Sequence, residues 1–150
     1  MATVYGVNAD KALVDVPSQK VDVSSWQGRV RWVYDEYTAG ALALNDKIIM
    51  GRLPEGAKIV EAILMADDLG TTGLLDFGYE YDDSALTSDP DAFLDDADVK
   101  AAAASYKMTD VANAVGFGVE MQGEASVVLT VAEAIDVGGD IRCAVAYVLD

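Results

Sequence analysis

Apolar residues near the middle of the chain occupy consecutive positions rather than alternating ones. The run from Ala57 to Met65 carries β-branched and aliphatic side chains at both odd and even positions, which face opposite sides of a strand. Such a pattern is typical of an interior strand, so it predicts a central strand covered on both faces. Directly before the run, Leu53 to Gly56 predicts a tight turn, because proline presets φ and glycine accepts the left-handed conformation. One parity holds Ile59, Ile63 and Met65, and the other holds Val60, Ala62 and Leu64.

Most other apolar residues alternate with polar or small ones, which indicates half-buried strands. Turn residues such as Asn45-Asp46 and Gly138-Gly139 separate these segments. About seven or eight strands spaced by turns predict an all-β protein, a β-sandwich of Greek-key or jelly-roll type. The alternating strands are predicted at residues 30–37, 47–50, 75–81, 117–121, 125–135 and 141–149.

One segment departs from the strand pattern. Ser88 and Asp89 precede Pro90, which favours a helix with an N-cap and a proline in its first turn, and apolar residues follow at 92–94. The alanine-rich stretch 98–106 is compatible with another helical turn or with a compact loop. We therefore predict a short helical insertion in the sandwich.

Residues 1–29 differ from the rest of the chain. Their three acidic and three basic residues cancel, so the whole net charge of -16 belongs to residues 30–150. Short valine-bearing pieces, Val14 with Val16 and Val21 with Val23, show no helical period. We predict an extended N-terminal arm over residues 1–29 that adds a strand elsewhere, followed by a β-sandwich domain over residues 30–150.

Composition excludes several classes of function. The 26 acidic residues against ten basic ones disfavour binding to nucleic acid or anionic membrane. The chain has no histidine, so histidine-dependent catalysis is excluded. Its single cysteine, Cys143, lies in an apolar run and is expected to be a buried, inert thiol. We find no leader-like or membrane-spanning pattern and expect a soluble protein made inside the cell.

Two groups of carboxylates were weighed as chemical sites. A calcium site requires oxygen ligands, but the acidic segment lacks the spacing of a calcium-binding loop, and solvation or capping by its aspartates is favoured. Glu61 and Glu133 lie in apolar strands, where a position at a strand edge or a subunit interface, or pairing with an arginine, is favoured over a glycosidase-like pair. The candidate partners are Arg31, Arg52 and Arg142. We therefore predict no enzymatic activity, no metal and no cofactor. The acidic segment comprises Asp82, Asp83, Asp89, Asp91, Asp95, Asp96 and Asp98.

The most aromatic neighbourhood comprises Trp26, Trp32, Tyr34 and Tyr37. Alternation places Trp32 and Tyr34 on one face with Val30, which favours a position in the core or at a subunit interface. A sugar-binding platform is the alternative, and it requires several of these rings to be exposed together. Trp26, before the strand, is expected at an interface.

Five parts of the chain carry a resemblance to a known family. They are 34–38 with 45–48, the turn and strand start at 51–57, 74–78, 89–94 and 136–149. Together they resemble tailed-bacteriophage head decoration proteins, also called capsid cement proteins, and the resemblance covers most of residues 30–150. It implies a jelly-roll fold, no enzymatic activity, and binding to the outside of an icosahedral shell made of the major capsid protein of the same phage, often as trimers.

From this resemblance we expect a virion protein, made in the host cytoplasm, that cements contacts between capsomers on the outer capsid surface. A homotrimer is expected first and a dimer second. A carbohydrate- or receptor-binding module of a phage fibre or tail is the alternative, and a small carboxylate hydrolase is disfavoured. The expected interface residues are Val14, Val16, Val21, Val23 and Trp26 of the arm and Leu53, Pro54 and Glu55 of the turn.

Overall fold

The computed structural model describes residues 28–111 and 115–149, together with Ala9, Lys11, Lys20 and Val21. Ala9 and Lys11 have helical backbone, whereas Lys20 and Val21 have no regular structure. The arm conformation stays a prediction, as does the division at residue 29. The arm residues Val14, Val16, Val23 and Trp26 lie outside the described residues.

The described residues form eight β-strands in two four-stranded sheets. They are β1 (Val30–Ala39), β2 (Lys47–Leu53), β3 (Lys58–Ala66), β4 (Leu74–Tyr81), β5 (Asp89–Asp98), β6 (Ala104–Lys107), β7 (Ala125–Glu133) and β8 (Gly139–Val148). The strand order is β1-β8-β3-β6 in the first sheet and β2-β7-β4-β5 in the second, and every pair is antiparallel. Pairing 1 with 8, 2 with 7, 3 with 6 and 4 with 5 is the topology of a long hairpin rolled into a jelly roll, so the predicted β-sandwich is confirmed.

The core lies between the two sheets and is built from alternate strand positions. Leu75, Phe77 and Tyr79 of β4 are buried, as their alternation predicts. The Phe77 ring meets Phe93 of β5 edge-on, with ring centroids 5.2 Å apart. These aromatic contacts attach β5, the last strand of its sheet, to the core.

The expectation that both faces of β3 are covered is wrong. The β3–β8 register shifts at Val60, and this extra residue moves the following side chains to the opposite parity. Ile59 and Leu64 consequently both lie in the core. Ile63 is only half-buried, and Met65 is exposed on the other face of the sheet. The bulge is a property of strand pairing that apolar spacing does not reveal.

The predicted turn before β3 is present, one residue later than expected. The backbone N–H of Ala57 donates to the carbonyl of Pro54 at 3.1 Å, and Gly56 has a φ of +80°. The Gly56 N–H also donates to the carbonyl of Met121 at 2.8 Å, which ties the turn to the segment before β7. Glycine is needed at this position because a side chain disfavours positive φ.

The helical insertion predicted after Ser88 is wrong, because residues 89–98 form strand β5. Phe93 and Leu94 are buried against the second sheet, and this tertiary burial outweighs the local preference for a capped helix. Pro90 fits because β5 is an edge strand, where a missing N–H costs no pairing. Within residues 28–111 and 115–149, the helical structure is one 3-10 turn, Met108–Asp110.

The strand predicted at 117–121 is reduced to an isolated bridge. Residues 115–118 form turns, Gly118 has a φ of +76°, and Glu120 bridges to Lys58 at the start of β3. The left-handed glycine interrupts the extended backbone that the alternation of apolar residues predicted. Phe117 is consequently exposed rather than packed in the core.

Candidate functional surface

Glu61 and Glu133, considered as a catalytic pair, lie on different sheets. Glu61 on β3 accepts hydrogen bonds from Thr109, and Glu133 on β7 lies 3.4 Å from the Lys100 ammonium group. Each carboxylate therefore has a local structural partner. The arrangement differs from the facing carboxylates that glycoside hydrolysis requires.

Two aspartates of the acidic segment, Asp95 and Asp96, lie close to Asp76, a residue that sequence reasoning did not single out. Carboxylate oxygens of Asp76, Asp95 and Asp96 lie within 4.8 Å of one another. Burial raises the pKa of Asp76, and the charges of Asp96, Asp95 and Asp91 add to this effect, while a hydrogen bond from the Asp96 N–H opposes it. The cluster is a place of like-charge repulsion. The outward alternation of Asp76 on β4 was the signal that could have identified it.

Cys143 is buried on β8, as expected. Burial, with a smaller contribution from the charge of Asp35, raises the pKa of its thiol to about 12. Because the thiolate is the nucleophilic form, this cysteine is chemically inert in the folded protein.

The outward side of the first sheet carries the exposed aromatic residues. Val33 points inward, since a Cβ added to Gly51 of β2 would lie 2.3 Å from its Cγ1. The even-numbered neighbours therefore face outward, where Trp32 is 55% and Tyr34 is 62% exposed. The expected core position of these two rings is wrong, because β1 is an edge strand and its outward side has no covering layer among the described residues. The interface position stays a prediction.

A groove of about 350 Å³ crosses this outward side of the sheet. Its floor includes Ala144 of β8, whose small side chain leaves a depression between Tyr34 of β1 and Met65 of β3. Arg142 at the rim forms an ion pair with Glu36, with 2.7 Å between Nε and Oε2. The groove is apolar with a charged rim, which is the composition of a protein-binding surface. The lining comprises Tyr34, Ile63, Met65, Ser105, Lys107, Arg142, Cys143 and Ala144.

The expected interface residues of the turn occupy different environments. Leu53 is 1% exposed and belongs to the core, so its side chain has no surface to offer a partner. Pro54 is half-buried and Glu55 is exposed, and Val21 of the arm is half-buried. Contact through Pro54, Glu55 and Val21 remains a prediction.

No helix within the described residues is long and apolar enough to span a membrane.

The fold matches chains of three phage capsid structures. The capsid of Ralstonia phage GP4 has a chain 26% identical over 96% of this chain and 97% of its own, with a TM-score of 0.65. The cyanophage Pam1 capsid has one 23% identical over 83% and 88%, with a TM-score of 0.63. The acid-stable capsid of Helicobacter pylori bacteriophage KHP30 has one 20% identical over 80% and 87%, with a TM-score of 0.52. No protein-family model and no curated protein matches the chain.

Proposed function

We propose that this chain is a structural virion protein that binds the outer surface of a bacteriophage capsid and cements contacts between capsomers. The observation that carries the proposal is the likeness to the chain of the Ralstonia phage GP4 capsid, which extends over nearly the whole of both chains. The proposed role is structural and non-enzymatic.

The composition suits such a role. A chain with a net charge of -16 remains soluble until it finds its specific binding surface, and its repulsion from nucleic acid keeps it away from the packaged genome. A protein that binds the assembled shell more tightly than the separated subunits stabilises the shell by its binding free energy. Many weak contacts repeated over the shell are sufficient for this effect.

We propose the major capsid protein of the same phage as the partner and a homotrimer as the unit that binds. The contacts proposed for the shell or the oligomer axis are the exposed turn residues Pro54 and Glu55, and the arm segment from Val14 to Val23 is proposed to reach over a neighbouring subunit. The turn supports this assignment because Glu55 is exposed and the Gly56–Met121 hydrogen bond at 2.8 Å holds the turn backbone in place.

The direct test uses expanded shells from which this protein has been omitted. Purified protein is added, bound protein is quantified after co-sedimentation, and shell disruption is followed by heating. We expect saturable binding and a higher disruption temperature. Deletion of residues 1–25 should lower the occupancy, and Glu55→Lys should alter it by changing an exposed charge at the turn.

Asp110→Lys is a matched control, because it makes the same charge change at an exposed residue that belongs neither to the turn nor to the groove. Saturable binding that is unchanged by the deletion and by Glu55→Lys would refute the proposed contacts. Absence of wild-type binding to the shell would refute the cement function itself.

A second candidate is a carbohydrate- or receptor-binding module of a phage fibre or tail. The exposure of Trp32 and Tyr34 on one outward face favours it, since adjacent aromatic rings can stack on sugars. A glycan array with wild-type protein and Trp32→Ala tests this candidate. Binding that requires Trp32, without binding to shells, would favour the receptor function over cementing.

A further inference from the structure

Strand β1 presents a long edge of the first sheet. It is ten residues long, lies at the end of its sheet, and pairs with β8 in unbroken register. Within the described part of the chain, β8 is the strand that pairs with it. Natural edge strands are normally protected by proline, bulges, short length or charged side chains, and β1 has only the last of these, with charges of both signs at Arg31, Asp35 and Glu36. No strand among the described residues pairs with its outer backbone groups, and a second copy of the chain can supply such a strand.

The sequence of β1 is complementary to itself in antiparallel orientation. Opposite residues share a face of the sheet, so a second copy must pair residues of equal parity. When Val33 lies opposite its own copy, Arg31 lies opposite Asp35 and Trp32 opposite Tyr34, each twice by symmetry. Opposite charges and aromatic rings are both favourable cross-strand pairs.

The charged residues of this register are available for such a contact. Arg31 and Asp35 are exposed, and neither forms an ion pair within the described residues. Asp35 accepts a short-range hydrogen bond from the N–H of Glu36 at 2.8 Å, which leaves its second carboxylate oxygen for a partner. Trp32 and Tyr34 lie on the outward face, where a neighbouring strand would bury them.

We propose that two copies of this chain associate through antiparallel β1–β1 pairing about a two-fold axis at Val33, which joins their first sheets into one continuous sheet. Pairing through one strand buries less than the about 1,200 Å² of a stable interface, so we expect association that depends on concentration. If the protein is a trimer, the same β1–β1 contact joins one trimer to the next. The inference does not depend on shell binding, and it is tested on the free protein.

Sedimentation at increasing protein concentration measures the association. We expect the average mass of the wild type to rise to twice its value at low concentration. Arg31→Asp and Asp35→Arg each place like charges opposite one another and should abolish the doubling. The double variant restores opposite charges and should restore it. Asp110→Arg, in the 3-10 turn after β6, makes the same charge change as Asp35→Arg at an exposed residue outside the groove and should have no effect, and circular dichroism verifies that each variant is folded.

A cysteine at the axis tests the register directly. Opposite Cα atoms of an antiparallel pair are about 4.5–5.5 Å apart, within the range that a disulfide bridges. Val33→Cys should therefore form a covalent dimer under mild oxidation. Tyr37→Cys should not, because the two cysteines would lie about 26 Å apart at 3.3 Å per residue.

Several outcomes would overturn the inference. They are a wild-type mass that does not change with concentration, a doubling that persists in both single charge variants, and equal cross-linking at positions 33 and 37. A register shifted by two residues would place Arg29 opposite Asp35, so a doubling abolished by Arg29→Asp but retained by Arg31→Asp would also overturn the proposed register.

Discussion

Strands β1 and β5 are both ten residues long and both lie at the edge of a sheet, yet their residues are opposite in character. Strand β1 carries exposed aromatic side chains and pairs with β8 without a break, and among its residues only Ala39 is buried. Strand β5 carries five aspartates and Pro90, its register with β4 breaks twice, and Phe93 and Leu94 hold it in the core.

From this difference we expect the two edges to have separate tasks. Five charges of one sign, Pro90 and two register breaks disfavour pairing of the β5 edge with another chain, whereas β1 has charges of both signs; the buried residues of β5 close the core. The edge of β1 contributes little burial, and no strand among the described residues covers it. Substitutions in β5 should therefore affect folding, whereas substitutions in β1 should affect binding. The following predictions test this division in order of decreasing effect.

Phe93→Ala should lower the free energy of unfolding by about 3–5 kcal/mol, since it removes a buried ring that contacts Phe77. Tyr34→Ala, on the exposed face of β1, should change it by no more than about 0.5 kcal/mol. Denaturant titration measures both. Equal destabilisation by the two variants would contradict the division, because it would mean that β1 also holds the core together.

Gly78→Ala should destabilise the protein by about 1–3 kcal/mol, as overpacking does. A Cβ at this position of β4 would lie 2.3 Å from the Asp89 carbonyl oxygen and 2.4 Å from the Pro90 carbonyl carbon, so the backbone of β5 would have to move. Gly40→Ala, directly after β1, is the control, because its Cβ would meet nothing within 4 Å. Gly78→Ala should therefore have a lower midpoint temperature of thermal unfolding than Gly40→Ala. Equal midpoints would show that the β5 backbone moves away from the added Cβ at little cost.

Asp76→Asn should stabilise the fold at pH 7 by about 0.2–1 kcal/mol, the range for cross-strand pairs. The pKa of Asp76 is raised above its usual value in the folded state, so its ionisation disfavours folding and the penalty appears as pH rises through the raised pKa. The asparagine oxygen can still accept from the Asp96 N–H. The stability gain of Asp76→Asn should therefore disappear below pH 3.8, the usual pKa of an aspartate.

Asp136 is a control, because its pKa is shifted in the opposite direction from that of Asp76. Hydrogen bonds from Thr71 lower its pKa, so its ionised form contributes stability above the usual value, and this stability is lost as pH falls through the lowered pKa. Asp136→Asn should destabilise the protein at pH 7. Melting temperatures recorded from pH 3 to pH 7 that moved in the same direction for both variants would contradict the assignment of repulsion to Asp76.

The smallest effect is expected at Cys143, which lies opposite Asp35 of β1 in the sheet. Because the thiol is buried and its pKa is raised to about 12, a thiol reagent should modify it only at the rate of unfolding. Fast modification of the native protein would show that β1 detaches from β8. Slow modification of Cys143 is expected if β1 stays paired with β8 in the native protein.

The sequence by itself determined the all-β class, the positions of most strands and the turn at Pro54. These features depend on alternation with a period of two and on the φ preferences of proline and glycine, which act locally. The burial of Cys143 could also be predicted, because the apolar run that contains it is a local feature of the sequence. The absence of histidine likewise excluded one class of catalysis without knowledge of the fold.

Tertiary structure alone decided the β3 bulge, the strand conformation of β5 and the exposure of Trp32 and Tyr34. Each depends on which strands become neighbours, and that depends on contacts between residues distant in the chain. Residues 89–94 have a good helix start, but burial of Phe93 against Phe77 outweighs it. An alternating strand has the same pattern at an edge as in the interior, so sheet order decided that the outward aromatic residues of β1 form a surface.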